Sequence, residues 1–157
     1  MRTAIIYTTN HGTTETVARK IKAEMGDETV ELIDLKKQKD INPADYDKII
    51  LGASIHAGQI QRRVKKFIEK YEPILLQKPL ALFLSCMDEE KAREQFNNAF
   101  PESLRKHAKS KKLTGGEFKT ERMSGIEKFM VKKVAGITEP VSNIKDDKIR
   151  ELAQDMR

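Results

Sequence analysis

Apolar residues in this chain follow two alternating rhythms. Unbroken apolar runs stand at Ala4, Ile5, Ile6 and Tyr7, at Ile49, Ile50 and Leu51, and at Leu80, Ala81, Leu82, Phe83 and Leu84. Such runs predict strands buried on both faces, over residues 2–7, 48–52 and 79–85. Residues 28–35 predict another strand, with Val30, Leu32 and Asp34 on one face and Ile33 on the other. A weaker fifth strand is expected over 113–120, which contains Gly115 and Gly116. Between the runs, apolar residues recur every three or four positions and predict helices with one buried face. One set is Val17, Ala18, Ile21 and Met25, over residues 14–25, and Gly26 ends it. The others are Ile60, Val64, Phe67, Ile68 and Tyr71; Ala92, Phe96 and Leu104, over residues 88–107; and Ile149, Leu152, Ala153 and Met156. Pro101 breaks or restarts the third of these helices. Ile126, Phe129, Met130 and Val134 predict a further short helix closed by Gly136, and 136–145 is the one long irregular segment.

Strands alternating with helices predict an α/β fold: a doubly wound, five-stranded parallel sheet with helices on both faces. The 157 residues fit one domain over residues 1–157. No apolar run approaches the roughly 18–20 residues of a membrane span. No basic region followed by an apolar stretch and a cleavage site opens the chain, so no signal peptide is expected. The single cysteine, Cys86, excludes an internal disulfide and suits a reducing compartment, so a cytoplasmic location is expected. The net charge is +6. The lysines and arginines lie among acids in helical stretches and read as a solvated surface. With no Trp and its few aromatics at core-like positions, the chain offers no platform for bases, and no nucleic-acid partner is expected. Residues 106–112, with four lysines, read as a solvated turn. Residues 124–136 are apolar on one face with Lys128, Lys132 and Lys133 beside it. That pattern fits contact with an anionic membrane surface, and core packing explains it equally well.

The candidate chemistry lies where strands end, because ligands of doubly wound sheets gather there, at the point where strand order reverses. The first strand runs into Thr8-Thr9-Asn10-His11-Gly12-Thr13-Thr14, and a helix follows at once. A helix start offers unpaired amides and partial positive charge, which suits a phosphate. Thr9, Thr13 and Thr14 add hydroxyls, Asn10 an amide and His11 an imidazole, while Gly12 permits close backbone approach. The same residues also read as a plain helix cap, with Thr13 or Thr14 as N-cap. No lysine follows the glycine, which excludes a triphosphate P-loop, and the spaced glycines of a dinucleotide fingerprint are missing. The third strand ends in Gly52-Ala53-Ser54-Ile55-His56-Ala57-Gly58, a flat-walled slot for a ring or a glycine-rich turn. Ser85-Cys86-Met87-Asp88 would close the other side. His56 could contact a redox ring or donate a proton, or be an ordinary surface histidine. Cys86 reads first as a small buried thiol. Arg93 follows it one residue too late for a phosphatase loop, and Thr8, Thr9 and Ser54 stand where a response regulator needs acids.

Residues 9–15 (TNHGTTE) resemble the phosphate-binding loop of flavodoxins, and the similarity in strand order and length extends over nearly the whole chain. GASIHAGQIQ at 52–61 and IEKFMVKKVAG at 126–136 resemble, more closely, the flavodoxin-like menaquinone-dependent protoporphyrinogen dehydrogenases of heme biosynthesis. The resemblance implies bound flavin mononucleotide (FMN) and no metal. Thr9, Asn10, His11, Gly12, Thr13 and Thr14 would cradle its phosphate. Ala53, Ser54, Ile55, His56, Ala57 and Gly58 would line one edge of the isoalloxazine, and Ser85, Cys86, Met87 and Asp88 the other. It implies an oxidoreductase that passes electrons from a reduced substrate through FMN to a quinone or another acceptor, with no nucleophilic side chain. Its partners would be a small-molecule or quinone redox partner or a redox protein, with peripheral contact at the inner face of a membrane through 124–136. Two departures matter. Electron-carrier flavodoxins are commonly acidic and stack a Trp and a Tyr on the flavin, whereas this chain is basic and has no Trp. The segment after the fourth strand lacks the extended basic insertion of the protoporphyrinogen enzymes and opens on Asp88, Glu89, Glu90 and Glu94. A flavodoxin-type carrier without its own substrate, and a flavin-free interaction module, stay open beside the enzyme.

Overall fold

The computed structural model describes residues 2–9, 12–26, 29–38, 40–56, 59–86, 90–115, 117–118, 141–142 and 144–157. Along the chain come β1 (Arg2–Tyr7), α1 (Thr13–Met25), β2 (Thr29–Asp34), β3 (Lys48–His56), β4 (Gln59–Ile60), α2 (Arg62–Leu75) and β5 (Leu80–Ser85). They are followed by α3 (Ala92–Ala99), α4 (Glu102–His107), β6 (Ser110–Leu113), β7 (Glu117–Phe118), β8 (Val141–Ser142) and α5 (Asp146–Met156). The main sheet has the order β2-β1-β3-β5-β6, and each neighbouring pair is parallel. Strand order reverses between β1 and β3, which sets the loop after β1 beside the end of β3.

Alternation along the strands divides the core in two, as expected for a sheet covered on both faces. Ala4, Ile6, Leu51, Leu82 and Leu84 face Val64, Phe67 and Ile68 of α2 and Phe96 and Leu104 beyond. Ile5, Ile50, Ala81 and Phe83 face Val17 and Ile21 of α1 and Leu152 and Met156 of α5. Each buried Val, Leu, Ile, Phe or Met among them contributes on the order of 1.5–3 kcal/mol by leaving water. The helical registers read from sequence hold for α1, α2 and α5, and Phe100 and Pro101 divide α3 from α4 as the proline requires.

Three expectations are corrected. The fifth strand is Ser110–Leu113, earlier than residues 113–120, and Glu117–Phe118 pair instead with Val141–Ser142. The stretch 106–112 is therefore no turn: α4 ends at His107 and β6 begins at Ser110. β6 is an edge strand, where lysines are common because they discourage pairing with another chain. Lys112 is drawn in by α5, with Nζ 3.2 Å from Glu151 Oε2, and Ser110 Oγ donates to Asp155 Oδ2 at 2.8 Å. Ile60 belongs to a two-residue strand, because β3 continues past Gly52 to His56 and β4 folds back on it. The helix expected at 126–136, including the membrane-contact segment, lies outside the described residues.

The end of the sheet opposite the loops is pinned by a polar cluster. Arg2 Nη2 lies 2.9 Å from Glu31 Oε1, and Tyr46 donates its hydroxyl to Glu31 Oε2 at 2.6 Å. The Arg2 guanidinium sits 4.8 Å from the centre of the Tyr46 ring. Hydrogen bonds from Tyr46 and Arg2 hold the Glu31 carboxyl below its ordinary value. Burial, and then Glu31, push the Tyr46 phenol up to about 12. A carboxylate with a depressed folded-state pKa stabilises the fold above its unfolded pKa, and the contribution is lost as pH falls through the folded value. Glu31→Gln should therefore be less stable than the wild type near neutral pH, with the gap closing below pH about 4.5. Urea midpoints across that range would show it, and a gap independent of pH refutes it.

Candidate functional site

The chain passes from β1 to α1 through a turn built on Gly12, whose φ of 89° and ψ of −7° are left-handed. A side chain there would cost roughly 1–2 kcal/mol. Gly12 is the N-cap through its carbonyl, which accepts from both Thr16 N and Thr16 Oγ1 at 3.0 Å. No side chain caps the helix, so neither Thr13 nor Thr14 is the N-cap; both lie inside α1. Thr9 Oγ1 accepts from Gly12 N at 2.9 Å. Lys36 reaches over from the turn after β2 and donates from Nζ to Thr9 O at 2.7 Å. Asp34 Oδ1 organises that turn by accepting from Lys36 N at 3.0 Å.

Thr8 and Thr14 bracket this turn, both fully buried, and neither hydroxyl has a hydrogen-bond partner. Buried hydroxyls are nearly always paired, and leaving one unpaired costs about 1–3 kcal/mol. The other such hydroxyl among the described residues, Thr3, lies towards the opposite end of β1. At the positive end of α1, an anion with several acceptor oxygens is the chemistry that two spare hydroxyl donors suit. Tyr7, just before Thr8, stays neutral: burial, then Glu15 and Asp34, push its phenol up to about 12.

The second and third loops stand at the same edge of the sheet, since Ser54 is in register with Ser85. Of the stretch read as a slot or turn, residues up to His56 continue β3, which pairs antiparallel with β4, Ile55 opposite Ile60 and His56 opposite Gln59. Gln61 fixes Ser54 from both sides: its Nε2 donates to Ser54 Oγ and its Oε1 accepts from Ser54 N. Ala53 is buried in the core facing α2, whereas Ser54 and Ile55 are half-buried. Gly52 stands directly opposite Phe83 of β5. At the end of β5, Ser85 Oγ lies 3.4 Å from Thr114 Oγ1. Cys86 is buried, as expected; its thiol donates to Gln95 Oε1, and its backbone N donates to Gly115 O at 3.2 Å.

The structure thus brings Thr9, Gly12, Thr13, Thr14, Ala53, Ser54, Ile55, Ser85 and Cys86 to one edge of the sheet. Asn10, His11, Ala57, Gly58, Met87 and Asp88 lie outside the described residues, as does the side chain of His56, whose backbone ends β3. Sequence reasoning missed Thr8, Lys36, Gln61, Gln95 and Thr114. Lys36, Gln61, Gln95 and Thr114 act through partners made by folding; Thr8, the first residue of the threonine-rich loop, has no partner for its hydroxyl and alone carried a local signal. Among the described residues no group of three or more His, Cys, Asp or Glu could hold a metal, and no helix is long and apolar enough to cross a membrane.

A family model described as a flavodoxin domain matches residues 4–144. Protoporphyrinogen IX dehydrogenase (quinone) of Leishmania major is 30% identical over 82 residues, which are 50% of this chain. The match covers 36% of that relative, so the chain spans about a third of its length. Among solved structures, a short-chain flavodoxin associated with a non-canonical PDU bacterial microcompartment superposes with a TM-score of 0.68 at 14% identity, over 99% of this chain and 96% of that one. A Fusobacterium nucleatum flavodoxin bound to flavin mononucleotide gives 0.58 at 12% identity, over 98% and 95%. At these identities the structures establish a shared fold.

Proposed function

Since this chain belongs to the flavodoxin domain family, we propose that it binds FMN at the ends of β1, β3 and β5 and acts as an oxidoreductase, passing electrons from a reduced small molecule to a quinone. The observation that carries the cofactor reading is the pair of buried, unpartnered hydroxyls of Thr8 and Thr14 on either side of a left-handed glycine. Thr9, Asn10, His11, Gly12, Thr13 and Thr14 would hold the phosphate, with Thr8 added from the structure. The loop from Ala53 to Gly58 and the loop from Ser85 to Asp88 would line the ring edges. FMN, when bound, supplies the redox chemistry. The chain's own work is anchoring and orientation: Gln61 steadies the β3 loop, and Gln95 and Thr114 steady the β5 loop. His56 would contact the ring or donate a proton.

The quinone acceptor is suggested by the relative's own name. A basic chain with no Trp supports an enzyme over a carrier that stacks aromatics on its flavin. A second reading, an electron carrier that serves a redox protein, has the flavodoxin structures in its favour. A reducing, cytoplasmic setting fits the single buried thiol.

The deciding measurement is the visible spectrum of the purified protein, before and after FMN addition and gel filtration. A retained flavin spectrum is expected, and a colourless protein that refuses FMN overturns the proposal. With flavin in place, an enzyme should oxidise many equivalents of protoporphyrinogen with quinone as acceptor. A carrier should exchange electrons in proportion to its own flavin and turn over only when a redox protein is added.

A further inference from the structure

Beside the ends of β3 and β5, a cavity of about 520 Å³ opens between the β3–β4 hairpin, the first half of α2 and the corner joining α3 to α4. Small-molecule sites commonly measure roughly 300–1,000 Å³. Ile55, Ile60, Ile68 and Phe100 form apolar walls. The rim is polar, with the amides of Asn97 and Asn98 and the cations Lys65 and Arg105 against one carboxylate, Glu69. Arg105 is held in place there: Nε donates to Phe100 O at 2.9 Å and Nη1 to Asn97 Oδ1 at 3.4 Å. A guanidinium carries five N–H donors, so more remain for a ligand.

Two residues tie this cavity to the loops of the proposed flavin site. Ile55, near the end of β3, lines the cavity. Gln95 lines it too and accepts the thiol of Cys86 at the end of β5. The cavity therefore touches β3 directly at Ile55 and the end of β5 through Gln95.

We propose that this cavity binds the organic redox partner, a mostly apolar ring molecule with carbonyl oxygens of the quinone class. The isoleucines and Phe100 would take the ring, and the Asn98 amide and Arg105 guanidinium would donate to its oxygens. A purely hydrocarbon occupant would leave those donors desolvated and unpaired, which costs free energy. A protein partner needs a far broader contact, on the order of 1,200 Å² or more in total. The proposal rests on the cofactor reading, because the partner must lie within electron-transfer reach of the flavin.

The test uses the FMN-loaded protein and 1,4-naphthoquinone-2-sulfonate as the probe, read by backbone-amide NMR shifts and a binding titration. Shift changes should cluster at Ile60, Ile68, Asn98 and Arg105. Asn98→Trp, at an exposed position on the rim, should weaken binding at least tenfold while the flavin spectrum is retained. Lys65→Glu, also exposed, should weaken the anionic probe severalfold. No binding by the wild type, shift changes elsewhere, or unchanged affinity in both variants overturns the proposal. A protein that never retains FMN refutes the cofactor reading before any quinone is added, so the two failures are distinct.

Discussion

Gly52→Ala should destabilise the protein by about 3 kcal/mol, the upper part of the roughly 1–3 kcal/mol typical of overpacking. A Cβ at this position would lie 2.0 Å from Phe83 Cζ and 2.3 Å from its Cε1. Phe83 is fully buried and in register with Gly52, so its ring lies over the glycine within the core facing α1 and α5. Real Cβ atoms do not come so close, and the ring has no free space to retreat into. The backbone of Gly52 is not among the left-handed glycines; the requirement is space, not conformation. Urea unfolding of the flavin-free protein is the measurement. Phe83→Leu removes the clashing ring atoms, so the double variant should be more stable than the additive sum of the two single changes. If Gly52→Ala leaves stability intact and loses flavin alone, the glycine serves the ring slot and the packing account fails.

Thr14→Val should move affinity and stability in opposite directions. The hydroxyl is buried without a partner. Removing an unsatisfied polar group while keeping the side chain's shape is neutral or stabilising, so the flavin-free variant should melt at the wild-type temperature or slightly above. If Thr14 donates to the FMN phosphate, the same change removes a hydrogen bond to a charged group, worth about 1.5–3 kcal/mol. FMN should then bind about 10- to 150-fold more weakly. FMN raises the melting temperature of whatever native protein it binds, so the shift at fixed FMN concentration should shrink in the variant. Unchanged affinity would leave Thr14 a buried threonine of the first turn and nothing more. Reduced stability of the flavin-free variant would mean that its hydroxyl has a partner in the protein.

The sequence alone determined the alternation of strand and helix, the parallel sheet and the apolar faces of α1, α2 and α5. These depend on period and on runs of buried residue types, which are local properties of a chain. It also located the threonine loop, because a strand ending, a glycine and several hydroxyls stand together within seven residues. What only the tertiary structure decided involves partners that no local period pairs. Lys112 reads as a solvated lysine until α5 brings Glu151 beside it, so β6 was sought too late in the chain. Gly52 reads as part of a ligand slot until β5 lays Phe83 across it. Lys36, Gln61 and Gln95 show no pattern of their own, and folding alone brings each to the loop residue it holds. Periodicity reveals which face of an element leaves water; which atoms then meet is settled only when the elements pack.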